Sequence, residues 1–182
     1  MIKWKFLGAC IILVSIIIPL STFAMYKIEE ENYAVILEDH LEENNYFAIL
    51  EIEDIALKRE LYEINSEENN VNKNILVHKK SIFPGQKISH IILAAHSGNG
   101  HNAYFKDLYK LELKDEIKLY YNDYIWTYEI EDIEYQEKTG ILYLQEEEMD
   151  MITLITCTQN DSTTQTIYYG ILKNKEKIAK NS

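Results

Sequence analysis

The stretch Met151-Ile152-Thr153-Leu154-Ile155-Thr156-Cys157-Thr158 is an apolar, β-branched run that breaks into the polar loop Gln159-Asn160-Asp161-Ser162. Such a run, bounded by turn residues, reads as a buried strand, and it delivers Cys157 to a strand end. Free cysteine is among the most buried residue types, so a lone thiol is ordinarily an apolar side chain. A thiol at a strand-to-loop boundary is more accessible than one inside a strand. With a neighbouring base it becomes a nucleophile.

Working outward, Ile88-Ser89-His90-Ile91-Ile92-Leu93-Ala94-Ala95 is a second continuous apolar run, closed by His96-Ser97-Gly98-Asn99-Gly100. His96 sits as Cys157 does, where a buried strand opens into polar loop. Two parallel neighbouring strands ending together would set both side chains on one rim, as a nucleophile with its acid/base partner. Taken alone, His96 is more simply a structural or solvated histidine. His40, His78, His90 and His101 lack this setting.

Short extended segments fill the chain between: Phe47–Ile52, Ile55–Ile64, Asn74–His78, Ser81–Phe83, Glu116–Tyr121, Tyr124–Tyr135 and Thr166–Leu172. Asn122-Asp123 is a tight hairpin signal, and Ala103–Leu111 reads as a short helix with Tyr104, Phe105, Leu108 and Leu111 on one side. Lys173–Ser182 reads as a solvated tail. Many short strands at regular spacing predict an all-β barrel or sandwich.

The chain has 182 residues, 47% apolar, and a formal net charge of -12. There is no basic stripe to neutralise phosphates, which argues against nucleic acid as a partner. Lys3 and Lys5 precede an almost uncharged apolar run, Phe6–Tyr26, long enough to span a bilayer, with the lysines inside and the acidic remainder outside. A cleaved signal peptide is the rival reading. Tyr33, Ile36, Leu37 and Leu41 recur at helical spacing, so residues 27–45 form an amphipathic stalk helix and 46–182 the main domain. The only other cysteine, Cys10, lies in the apolar run, so no intrachain disulfide is expected.

Thr153-Leu154-Ile155-Thr156-Cys157 matches the TLxTC signature of the sortases, and Ile92-Leu93-Ala94-Ala95-His96-Ser97 resembles their strand ending in the catalytic histidine. Tyr104–Leu111 resembles the short helix that follows, and the order of anchor, stalk, barrel, His, Cys and final strand is similar too. The resemblance spans roughly Tyr46 to Leu172. It implies a closed β-barrel of about eight strands with short helices, and a cysteine transpeptidase anchored in the cell membrane of a Gram-positive envelope with its catalytic domain outside. Such an enzyme cleaves an LPxTG-like sorting motif of an exported protein through a Cys157 thioacyl intermediate. His96 protonates the leaving amine, and a peptidoglycan-precursor or pilin amine accepts the acyl group. Thr156, Ala95 and Ser97 would contact substrate, and the segment Tyr143–Asp150 would wall the groove.

One position departs from the family. Where sortases carry an arginine on the last strand, Gln165 stands here. The single arginine, Arg59, reads as a solvated strand residue. An amide donates hydrogen bonds but brings no charge. The alternative is therefore a weak or inactive barrel that binds envelope peptides or proteins. No cofactor is expected; Glu146-Glu147-Glu148 with Asp150 resembles an oxygen-rich Ca²⁺ loop, but such a run is more often a solvated face.

Overall fold

In the computed structural model, described over residues 46–85, 88–145 and 148–178, eight strands form one sheet. They are β1 (Tyr46–Ile52), β2 (Leu57–Tyr62), β3 (Leu76–Val77), β4 (His90–Ala94), β5 (Glu116–Tyr121), β6 (Tyr124–Glu137), β7 (Met151–Cys157) and β8 (Thr164–Lys177). Their order in space is β2-β1-β5-β6-β8-β7-β4-β3. The transmembrane segment expected over 1–26 and the stalk helix over 27–45 lie outside the described residues, as do Glu146 and Glu147. Among the described residues no helix is long and apolar enough to cross a membrane, and no group of His, Cys, Asp and Glu is arranged to hold a metal.

The barrel is nearly closed rather than closed. The edge strands β2 and β3 approach each other, but no ladder joins them among the described residues. The seam is bridged instead by the Asn69 side chain. Its Nδ2 donates to the carbonyls of Val77 (3.0 Å) and Ile64 (3.2 Å), and its Oδ1 accepts from the Val77 N–H (2.7 Å). One amide side chain thus stands in for a peptide group of a missing strand and satisfies an edge that would otherwise be unpaired.

The interior is filled by Leu50, Ile52, Leu61, Ile91, Leu93, Phe105, Ile117, Leu119, Tyr128, Ile152 and Leu154, among others. A second cluster, Ile92, Met151, Ile155, Ile167 and Tyr169, lies on the other face of β4, β7 and β8, with Leu142 and Leu144 of the β6–β7 connection packed against it. This explains why β4 and β7 read as continuous apolar runs: both of their faces are covered. Gly170 is required by packing, since a Cβ there would meet Ile152 Cγ2 at 2.9 Å and Tyr128 Cβ at 3.2 Å.

Three expectations are corrected. The tail expected from Lys173 is strand as far as Lys177, because the polar end of β8 pairs with Tyr124–Thr127 of β6; backbone pairing does not require apolar side chains. The helix expected over Ala103–Leu111 is a single 3₁₀ turn at Leu108–Lys110. The buried residues of the segment, Phe105, Leu108 and Leu111, recur every three positions, the period of a 3₁₀ rather than an α helix. β1 and β2 are joined through a further 3₁₀ turn at Glu53–Ile55, so the second strand is shorter than its apolar pattern. The Asn122-Asp123 hairpin is as expected, with both residues at positive φ (51° and 63°), as a type I′ turn demands.

Candidate active site

β4 and β7 are parallel neighbours in the register His90↔Met151 through Ala94↔Ile155. Continued by two residues, that register sets His96 beside Cys157. The continuation is physical: the Ala95 N–H donates to the Ile155 carbonyl (3.3 Å), and the buried Thr156 hydroxyl donates to the Ala95 carbonyl (2.8 Å). These bonds hold the strands together up to the rim. Side chains alternate between the two faces of a strand. Ile91, Leu93, Ile152 and Leu154 fill the interior, so His96 and Cys157 share the outer face with Ile92, Ile155 and Tyr169.

Both residues line one cleft of about 670 Å³, with Ser97, Gly98 and Asn99 beyond β4, Lys106, Asp107 and Tyr109 before the 3₁₀ turn and within it, Lys138, and the loop Thr158–Ser162. Cys157 and His96 are each half-buried. The loop is braced from within. Asp161 Oδ1 accepts from the Thr163 hydroxyl (2.6 Å) and N–H (2.8 Å), and Oδ2 accepts from the Thr164 hydroxyl (2.9 Å). The Thr163 and Thr164 bonds lower the Asp161 pKa to about 2. Lys138 Nζ donates to the Ser162 carbonyl (3.0 Å).

Gln165 pairs directly with Cys157 across the β7–β8 ladder, so both project to the same face. Gln165 is half-buried, and its amide makes no hydrogen bond among the described residues. Lys173 is not a substitute cation for the site: it is ion-paired with Glu131 and, at 3.5 Å, with Glu129.

Of the residues expected to contact substrate, Ser97 lines the cleft, whereas Thr156 and Ala95 do not. Both are buried, at 6% and 4% exposure, because alternation turns the neighbour of a rim residue inward. Tyr143 is largely exposed on the β6–β7 connection, where its carbonyl accepts from Gln136 Nε2 (2.6 Å).

Asn72 was not legible as part of the site. Its Oδ1 lies 3.2 Å from His96 Nε2, and its carbonyl accepts from Asn102 Nδ2 (3.1 Å). With Oδ1 as acceptor, Nε2 carries the proton and Nδ1 is left as the basic nitrogen. In sequence, Asn72 is one of several asparagines in a polar loop, and only the folding of residues 70–74 against the β4 exit singles it out.

A thiol and an imidazole on one accessible rim form the pair that acyl transfer through a thioester requires. The family model for the sortase domain matches residues 50–172. Among solved structures, Listeria monocytogenes sortase A aligns at 16% identity over 75% of this chain and 93% of its own, with a TM-score of 0.62. Sortase C1 of Streptococcus agalactiae aligns at 26% identity over 72% and 69%, with a TM-score of 0.63. A Clostridium perfringens sortase D5 transpeptidase aligns at 26% identity over 82% and 95%, with a TM-score of 0.60. Comparison with curated protein sequences finds no match.

Proposed function

The chain belongs to the sortase family of transpeptidases, and from that premise we propose that it cleaves an LPxTG-like sorting motif through a thioacyl enzyme on Cys157. One observation carries the reading: Cys157 and His96 leave adjacent parallel strands side by side into a single cleft. In the first half-reaction His96 takes the Cys157 thiol proton as Sγ bonds to the scissile carbonyl carbon. The C–N bond breaks, and the leaving amine takes a proton from His96. In the second, an incoming amine attacks the thioester and the C–S bond breaks. His96 takes the proton that the amine sheds and passes it to the Cys157 thiolate, restoring the starting pair.

The acceptor is an amine of a peptidoglycan precursor or a pilin. The motif lies along the groove beside the β6–β7 connection, near Ser97. The N-terminal apolar segment anchors the enzyme in the cell membrane with the barrel outside, residues 27–45 form its stalk, and the reaction needs no cofactor.

Gln165 favours a second reading. It stands opposite Cys157 where the family pattern has arginine, and it offers an uncharged donor to the developing oxyanion. Losing one oxyanion donor costs about 10²–10³ in rate, so the barrel would bind sorting peptides with little turnover. The test is intact mass after incubation with a panel of LPxTG-like peptides and an amine. A mass adduct on Cys157, absent in Cys157→Ala, supports the enzyme. An adduct that survives Cys157→Ala overturns it. A gain in rate in Gln165→Arg marks a weakened enzyme, and binding without an adduct in either form supports the second reading.

A further inference from the structure

A second cavity, of about 620 Å³, lies beside the cleft and shares Asn99, Lys106 and Asp107 with it. Its other walls come from Ile55–Arg59, around the start of β2, and from Gly100, His101, Ala103 and Tyr104. Its charge runs against that of the chain, which carries a net -12. Lys58, Arg59 and Lys106 line it, against the single carboxylate of Asp107. Asp107 is already ion-paired with Lys110 (2.8 Å), and Lys58 with Glu51 (2.6 Å). Arg59 and Lys106 have no ion pair among the described residues.

Arg59 is nevertheless held in place. Its guanidinium lies 4.7 Å over the Tyr104 ring, and the Tyr104 hydroxyl donates to the Lys73 carbonyl (3.0 Å). The Tyr104 ring holds the guanidinium in place, while its N–H donors, which radiate in its plane, can grip a planar anion. The segment that carries Tyr104 is tied to the cleft, since the Phe105 N–H donates to the His96 carbonyl (3.0 Å).

We propose that this cavity receives a carboxylate of the acyl-accepting amine, gripped by Arg59 and Lys106, while the amine itself reaches the cleft past Asn99. The proposal rests on the acyl-transfer reading for the amine, but the anion site stands on its own geometry. It makes the enzyme selective for acceptors that bear an acid beyond the reacting nitrogen. Arg59 is a positioning residue for the acceptor and takes no part in the bond changes.

Arg59 is the only arginine, so the detergent-solubilised full chain labelled with ¹⁵N-arginine has one guanidinium Nε–H signal. Three probes are titrated: triglycine, triglycinamide, which lacks the carboxylate, and inorganic phosphate. Triglycine is expected to move the signal saturably and at lower concentration than the other two. In transfer assays, Arg59→Gln is expected to raise the ratio of KM for triglycine to KM for triglycinamide by about threefold to fivefold, the reach of an exposed charge pair. A merely structural loss would weaken both acceptors alike and leave the ratio unmoved, which overturns the proposal. So does a signal that triglycine leaves in place, or one that phosphate moves as readily. If no thioacyl enzyme forms, the transferase reading falls, while the Arg59 titration still decides the carboxylate site.

Discussion

Replacing Thr156 by valine removes one hydrogen bond and almost no volume, and its effect can be worked from the structure. The Thr156 hydroxyl lies 2.8 Å from the Ala95 carbonyl, in a residue only 6% exposed. Valine fills the same space, so no cavity term arises, but it strands a buried acceptor. That costs about 1–3 kcal/mol, or a melting temperature lower by roughly 3–5 °C per kcal/mol for a barrel of this size. The bond also lies in the last rung before Cys157 and His96, where the β4–β7 ladder proper has already ended at Ala94 and Ile155. Loosening it lets the two rim residues drift, and a misplacement of 1 Å costs about 10² in rate. A fall of about tenfold or more in single-turnover thioacylation is therefore expected, read by intact mass beside urea denaturation of the same preparation. Thr156→Ser is the control: it keeps the hydroxyl and loses a methyl, at about 0.8 kcal/mol, with the rate preserved. A valine variant within about 0.5 kcal/mol of the parent that also thioacylates at the parent rate would refute the reasoning.

Substitutions at three further positions probe other links. Asn72→Ala removes the partner of His96 Nε2, a part-exposed bond, and should slow thioacylation by about twofold to tenfold; Asn72→Asp instead sets a carboxylate on the imidazole and should move the alkaline limb of the pH–rate profile upward. The second position is Asp161, whose pKa is lowered from 3.8 to about 2. Its contribution to stability is complete above pH 3.8 and is lost as pH falls toward 2, so the difference in melting temperature between the parent and Asp161→Asn should be constant near neutral pH and vanish in that acid window. Gly170→Ala forces a Cβ to within 2.9 Å of Ile152 Cγ2 and should destabilise the barrel by about 1–3 kcal/mol, which equilibrium denaturation measures.

The parts of the fold that follow from local chemistry were legible in the sequence. The Asn122-Asp123 turn and the apolar runs of β4 and β7 belong to that class, because turn geometry and burial on both faces leave marks on neighbouring residues. The rim positions of His96 and Cys157 follow from the same two runs. What the sequence hides is set across space. Thr156 was expected at the groove and is buried, because which face the rim residue takes depends on the register of the whole sheet. The polar end of β8 looks like tail until β6 is placed beside it. Asn72 and Arg59 sit in unremarkable polar surroundings, and only the approach of residues 70–74 to His96 and of Tyr104 to Arg59 sets them apart.

The Asn69 bridge gives the barrel a weakest line. Every other junction between neighbouring strands is a backbone ladder, whereas among the described residues the β2–β3 seam is joined by no ladder and is bridged by the Asn69 amide between Val77 and Ile64, just past β2. Amide protons along that seam should exchange with solvent before those of β6 and β8. The loop that breathes with them runs from β2 to β3 and carries both Asn69 and Asn72. Opening of the seam should therefore be felt three residues along the same loop at Asn72, and through its Oδ1 at His96 Nε2, which ties the sheet's incomplete closure to the setting of the imidazole.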